Sequence, residues 1–246
     1  MKLALIGYGA MGRLVSARAT TMGHEVGRVL TSTDANRSVD ERAEQLRGHD
    51  VAIDFSVAEA VLSNIDACTS AGVPLVEGTT GWSSRETEAR RMVWKRHGGL
   101  LFGSNFSIGA NLFYRLVERA AELFEGSEDY APFIEEAHHA RKRDAPSGTA
   151  LRLSQILAAR LGQDVPTSST RAGHIPGTHR VGFDSVADQV LLVHTARSRE
   201  GFAAGALLAA EWMAGRQGIY EFSSILDNLL EFTRRRAGET AKSDSS

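Results

Sequence analysis

The sequence predicts an α/β protein in which an N-terminal doubly wound parallel sheet is followed by a second, α+β domain. Three observations carry this. Short apolar runs alternate with helical stretches over the first hundred residues, a glycine-rich turn stands between the first run and the first helix, and strand-like stretches follow one another directly from residue 180. Parallel neighbours cannot be joined by a hairpin, so the alternation implies right-handed crossover helices on both faces of the sheet.

In order, residues 2–6 read as a buried strand and 10–22 as a helix with Leu14, Val15 and Met22 on one side. Strands are expected at 25–30, 51–55, 74–77 and 100–102, with helices at 58–71 and 84–97. Beyond Asn105 the rhythm changes to a helix at 110–124, a strand at 133–137 and a helix at 149–161. Strands at 180–183 and 189–195 then suggest a mixed or antiparallel sheet packed on helices. A helix at 202–213 and the stretch 220–232 are expected to return the chain to the first domain, and 234–246 read as a polar, frayed tail. The predicted boundaries are 1–106 plus 200–246 for one domain and 107–199 for the other.

With 42% hydrophobic and 24% charged residues, the 246-residue chain can bury a core or two. A formal charge of −2 with no long basic run argues against nucleic acid as the main ligand. No segment approaches the ~20 apolar residues of a membrane helix, and the N-terminus reads as a strand instead of a signal peptide. The single cysteine, Cys68, excludes an intrachain disulfide framework and reads as a small core residue. A cytoplasmic protein with small-molecule partners is expected.

Gly7, Tyr8, Gly9, Ala10, Met11 and Gly12 fit G-x-G-x-x-G between a predicted strand and a predicted helix, the setting in which the motif binds dinucleotides. Gly7 allows the tight turn, Gly9 lets the main chain approach a pyrophosphate, and Gly12 lets helix and strand pack closely. The helix N-terminus then offers free N–H groups to the phosphates. This predicts a Rossmann-type domain holding NADH or NADPH. An acidic residue usually ends the second strand, where it bonds the ribose 2′-hydroxyl; here the place reads Thr31, Ser32, Thr33 and Asp34. The hydroxyls could receive a 2′-phosphate and Asp34 could reach a 2′-hydroxyl if the loop curls back, so the preference stays open.

The densest chemistry lies between Glu135 and Ala150. Pro146 disfavours helix at the residue before it, which makes Ser147 the natural N-cap and leaves N–H groups of Gly148 and Thr149 free. Lys142, His138 and His139 nearby would make a cationic pocket suited to a carboxylate-bearing substrate. A solvated surface loop and a metal site compete with this reading. Adjacent residues on a strand point to opposite faces, so His138 and His139 are poorly placed to hold one ion. His174, His179 and His194 show no ligand spacing, and no metal is expected. A serine hydrolase is excluded by the lack of G-x-S-x-G.

The segment His138-His139-Ala140-Arg141-Lys142-Arg143-Asp144-Ala145-Pro146-Ser147-Gly148-Thr149-Ala150 closely resembles the substrate loop of the 4-hydroxy-tetrahydrodipicolinate (dihydrodipicolinate) reductases. Gly78-Thr79-Thr80-Gly81 and Ser104-Asn105-Phe106-Ser107-Ile108-Gly109-Ala110-Asn111 resemble that family's two nicotinamide-side motifs. With Arg199 and Phe202-Ala203-Ala204-Gly205-Ala206, the resemblance spans nearly the whole chain. It implies His138 as general acid, Lys142 as a second proton donor or carboxylate partner, and His139, Gly148 and Thr149 as substrate binders. It also implies that Gly7 to Gly12, with Gly78, Thr79, Thr80, Gly103, Ser104, Asn105 and Phe106, hold the cofactor. For Ser147 and Asn111, capping or framework bonding competes with direct contact, and Arg199 reads equally as a hinge residue.

The resemblance further implies a dicarboxylate substrate and a homotetramer; with cofactor and substrate on different domains, hinges are expected near residues 105–107 and 199. The glycine loop lacks the basic residue many members carry, and Thr31 or Ser32 replaces the acid after the second strand. Both departures concern the adenosine end of the cofactor. Two alternatives are a non-catalytic dinucleotide-sensing module and another two-domain dehydrogenase acting on an amino acid or a sugar.

Overall fold

A computed structural model describes residues 1–243 of the chain. It divides into two compact units, Met1–Ser107 together with the segment from Glu200, and Ile108–Arg199. The first unit begins with β1 (Lys2–Ile6), α1 (Ala10–Thr21), β2 (Glu25–Leu30), α2 (Val39–Leu46), β3 (Val51–Asp54), α3 (Val61–Ala71), β4 (Leu75–Glu77), α4 (Glu86–Lys95) and β5 (Gly99–Phe102). The second unit contains α5 (Ile108–Phe124), β6 (Ala131–His138), α6 (Gly148–Leu161), β7 (Thr167–Arg171), β8 (Thr178–Asp184) and β9 (Gln189–Thr195). The first resumes with α7 (Glu200–Met213), β10 (Gly218–Glu221) and α8 (Leu226–Ser243).

The first unit's six strands run in the order β10-β5-β4-β3-β1-β2, and every pairing is parallel. Every residue of β3, β4 and β5 is buried, as a sheet covered on both faces requires. Strand order reverses direction at β1, so the crevice between the C-terminal ends of β1 and β3 is where such sheets bind ligands.

Helix α2 was not foreseen, although Ser38 and Glu41 form a capping box at its start and Ala43 and Leu46 anchor it. The polar stretch 234–243, expected to fray, continues α8. Residues 244–246 of that expected tail lie outside the described residues.

In the second unit the strand order is β7-β6-β8-β9, with β6 and β7 parallel and the other pairs antiparallel. Phe113, Val117 and Ala121 of α5 and Leu153 and Leu157 of α6 pack on Ile134, Val181 and Phe183 of the sheet. Strand β7 escaped the sequence reading because Thr167-Ser168-Ser169-Thr170-Arg171 has no apolar residue; its backbone pairing with β6 defines it. Among the described residues no helix is long and apolar enough to cross a membrane.

Candidate active site

The glycine turn has the geometry its sequence demands. Gly7 adopts φ +84°, and a side chain there would strike the Phe55 carbonyl oxygen at 2.5 Å. A Cβ on Gly12 would lie 2.2 Å from the Gly7 carbonyl oxygen, so α1 packs on the turn only because Gly12 lacks one. Gly9 is the N-cap of α1, its side-chain direction is open space, and no side chain caps the helix. An open approach to uncapped N–H groups suits a pyrophosphate, and the residues present fit a dinucleotide. Tyr8 and Ala10 are exposed, Met11 half-buried, and Arg13 lies over the Tyr8 ring.

Asp34 turns its carboxylate into its own turn. Its carboxylate is buried, taking hydrogen bonds from the Thr31 N–H (3.0 Å), Arg28 (3.2 Å) and Arg37 (3.2 Å). Thr31, Ser32 and Thr33 are left on the outside.

The two segments expected to border the nicotinamide occupy the turns after β4 and β5. Gly78 is needed because a Cβ would enter the Phe55 ring at 2.2 Å, and Gly103 because Phe222 stands at 2.9 Å. Thr80 and Ser104 are exposed, and Asn105 is half-buried with its Oδ1 accepting from the Ser107 N–H at 2.9 Å. Thr79 uses its own groups internally: N–H to Glu77, hydroxyl from the Ser56 N–H, carbonyl from the Trp82 indole. The Phe106 ring is buried against Phe222 and Phe55, so packing absorbs it and only its main chain faces a ligand role.

In the second unit, strand pairing assembles what the sequence left scattered. His138 ends β6; Glu136, two residues earlier, shares its face. Register sets Arg171 of β7 opposite His138 and His179 of β8 opposite Glu136. Nδ1 of His138 donates to Oε2 of Glu136, whose Oε1 accepts from Arg171 at 2.6 Å. Arg171 also donates to the Asp144 carbonyl at 2.5 Å, tying β7 to the loop before α6. His179 stands edge-on to His138, ring centroids 5.1 Å apart, with Nε2 and the Ser147 hydroxyl at 3.0 Å. Ser147 caps α6 through the Ala150 N–H at 3.2 Å.

The electrostatics follow from these partners. Burial works against a charge on Glu136, but bonds from Arg171 and Ser169 and the nearby His138 hold its pKa at about 2. Burial, with help from Lys142 and Arg171, lowers the His138 pKa by more than Glu136 raises it. His179, deeper, is held down to about 4, first by burial and then by the His138 charge. Glu136, His138 and His179 together offer ligand atoms within 4.8 Å of one another. Both Glu136 oxygens already serve Arg171 and His138, so a cation would have to displace them; the cluster reads as a proton-holding network.

Lys142 is half-buried and pairs with Asp144 at 2.9 Å. His139 is half-buried, Gly148 is exposed and Thr149 half-buried in the first turn of α6. Sequence reasoning singled out these residues but missed Glu136, Arg171 and His179. Two-residue spacing on a strand was the available signal for Glu136; the other two needed the register.

The N-terminal model of the dihydrodipicolinate reductases matches residues 1–106, and the C-terminal model matches 109–226. The chain belongs to the dihydrodipicolinate reductase family. A 4-hydroxy-tetrahydrodipicolinate reductase of Christiangramia forsetii is 35% identical over 243 residues, covering 94% of this chain and 100% of that protein. One from Pseudoalteromonas atlantica is 33% identical over 240 residues, covering 86% of each. A dipicolinate-bound dihydrodipicolinate reductase from Paenisporosarcina sp. TG-14 shares the fold at TM-score 0.76 and 22% identity, covering 92% of this chain and 99% of that one.

Proposed function

We propose that the chain is a cytoplasmic NAD(P)H-dependent reductase that converts 4-hydroxy-tetrahydrodipicolinate, through dihydrodipicolinate, to tetrahydrodipicolinate in lysine and diaminopimelate biosynthesis. The observation that carries the chemistry is the Glu136–His138 pair, anchored by Arg171. Residues 1–106 with 200–246 form the dinucleotide-binding domain, and 107–199 the substrate and oligomerisation domain.

Gly7, Tyr8, Gly9, Ala10, Met11 and Gly12 hold the pyrophosphate, and Gly78, Thr79, Thr80, Gly103, Ser104, Asn105 and Phe106 border the nicotinamide, mainly through main chain. The reduced cofactor, when bound, supplies the hydride. The reduced substrate is then an enamine that needs a proton on the neighbouring carbon. With Nδ1 of His138 turned to Glu136, Nε2 is the atom that delivers it. The ionised Glu136 fixes that orientation and favours the imidazolium, and the substrate's two carboxylates strengthen the effect by adding negative charge. Lys142, His139 and the N–H groups of Gly148 and Thr149 hold a substrate carboxylate.

Self-association as a homotetramer uses the face of the second sheet opposite α5 and α6. There Leu191 and Val193 of the edge strand β9 are 44% and 52% exposed.

The decisive experiment follows absorbance of NADH and NADPH separately with freshly generated substrate. Oxidation of either upholds the reading. Tight dinucleotide binding without oxidation would mark a sensing module instead.

A further inference from the structure

Asp54 and Glu77, the last residues of β3 and β4, pair across the sheet with side chains fully removed from solvent. A buried carboxyl is costly unless it is neutral or fully bonded. Asp54 accepts from the Ser56 N–H at Oδ1 and from Asn64 at Oδ2, both at 2.7 Å. The Asn64 oxygen accepts in turn from buried Arg42 at 2.8 Å. Glu77 accepts from the Thr79 N–H through Oε1 at 2.7 Å, while Oε2 meets no donor among the described residues and faces the Asp54 carboxyl.

Two facing carboxyls hydrogen-bond only if one carries a proton. Both Asp54 oxygens already accept from N–H donors while Glu77 Oε2 has none, so the proton belongs on Glu77 and is donated to Asp54; burial raises the pKa of both acids, and the Asp54 charge adds to the rise at Glu77. The single remaining negative charge answers the Arg42 guanidinium through Asn64. Cys68 of α3, the other titratable group alongside, is kept a neutral thiol by burial and by the two acids.

This pair sits where the loops expected to hold the cofactor begin. The Gly78 N–H donates to the Asp54 carbonyl at 2.9 Å and the Gly103 N–H to the Glu77 carbonyl at 3.3 Å. Ser56, bound to Asp54, also donates its N–H to the Thr79 hydroxyl at 3.1 Å. A shift of either carboxyl therefore moves the turn.

We propose that Glu77 is a positioning residue which, by sharing one proton with Asp54, fixes the Gly78–Thr80 turn in the form that receives the dinucleotide. The inference rests on reading that turn as a cofactor loop. Glutamine at 77 preserves both bonds, its carbonyl accepting from Thr79 and its amide donating to Asp54. Leucine, similar in volume, makes neither.

The test is calorimetric titration of the full-length wild type, Glu77→Gln and Glu77→Leu with NADH and NADPH, alongside kinetics and infrared difference spectra. Glu77→Gln is expected to bind within about twofold of wild type, and Glu77→Leu about tenfold or more weaker, since orphaned buried groups are expensive. In the leucine variant KM for dinucleotide rises while kcat at saturation holds. A protonated-carboxyl C=O band present in the wild type at pH 7 should vanish in Glu77→Gln.

A glutamine variant as weak as leucine, or no such band, overturns the proposal. Should leucine fail to fold, the band and the glutamine affinity decide. If the wild type binds neither dinucleotide, the cofactor reading falls too; if leucine binds as well as wild type, only the positioning role falls.

Discussion

Glu77 and Glu136 both lie at or near the C-terminal end of a strand with their side chains shut off from water, yet their surroundings drive them to opposite charge states. Glu77 faces another acid, so it holds its proton. Glu136 faces Arg171 and an imidazole, so it stays ionised down to a pKa of about 2. Burial acts on both in the same sense; the charge of the nearest partner decides the outcome. In the first unit this makes a neutral brace under a turn, and in the second a fixed negative charge beside the His138 imidazole.

If the Glu136 charge exists to serve His138, the largest effect comes from removing the imidazole. His138→Gln is expected to lower kcat by ~10²–10⁴, the usual worth of a positioned proton donor, with dinucleotide affinity unchanged by titration. Wild-type turnover would remove His138 from the mechanism. If the Lys142 ammonium holds the substrate through the reaction, Lys142→Ala should raise KM and lower kcat together.

Substituting amides sharpens the contrast. Glu136→Gln leaves Arg171 without its counter-charge, and breaking one side of a buried pair costs about 3–5 kcal/mol. Turnover should fall too, and combining it with His138→Gln should add little further loss if the two act as a unit. Glu77→Gln replaces a neutral group by a neutral group and should leave denaturant stability at pH 7 unchanged or higher. Equal destabilisation by both amides would erase the distinction.

The pH dependence carries the same signs. His179 is lowered from 6.5 to about 4, so the unfolded chain binds more protons in between and stability falls as pH drops through that window. Glu136, lowered from 4.5 to about 2, adds stability above pH 4.5 that is lost on further acidification. Glu77, raised from 4.5, acts in reverse and subtracts stability as pH rises above that value. Chemical denaturation across pH should show His179→Asn flattening the upper acid limb and Glu136→Gln the lower one.

The two sites also differ in how far the sequence discloses them. The glycine turn is local in sequence: Gly7 takes a positive φ, Gly12 packs on the Gly7 carbonyl and Gly9 leaves open space at the helix N-terminus, all within one strand–turn–helix stretch whose spacing can be read directly. The alternating apolar strands are legible for the same reason. The proton site is made by register. Arg171 lies on a strand with no apolar residue, and His179 is 41 residues from His138 along the chain (179 − 138), so nothing short of the β6–β7 and β6–β8 pairings reveals them. Asp54 and Glu77 sit inside otherwise apolar strands, where pattern reading counts them as strand ends and does not see them meet.

The smallest expected effect lies at the adenosine end of the cofactor, and it follows from a third buried acid. Asp34 spends its carboxylate on the Thr31 N–H, Arg28 and Arg37, and those donors, the Thr31 N–H first, outweigh burial and leave a lowered pKa. One inward negative charge flanked by two partly exposed guanidinium groups leaves the turn with net positive charge and outward hydroxyls. A 2′-phosphate gains from that surface and a bare ribose diol does not. Exposed ion pairs are worth about 0.2–1 kcal/mol each, so NADPH should bind a few-fold, at most about tenfold, more tightly than NADH at low salt. Raising the salt should shrink the difference, and Arg37→Gln should lower NADPH affinity while leaving NADH unchanged in parallel titrations. NADH binding as tightly as NADPH in the wild type would mean that the Thr31–Asp34 turn meets the ribose through neutral contacts alone.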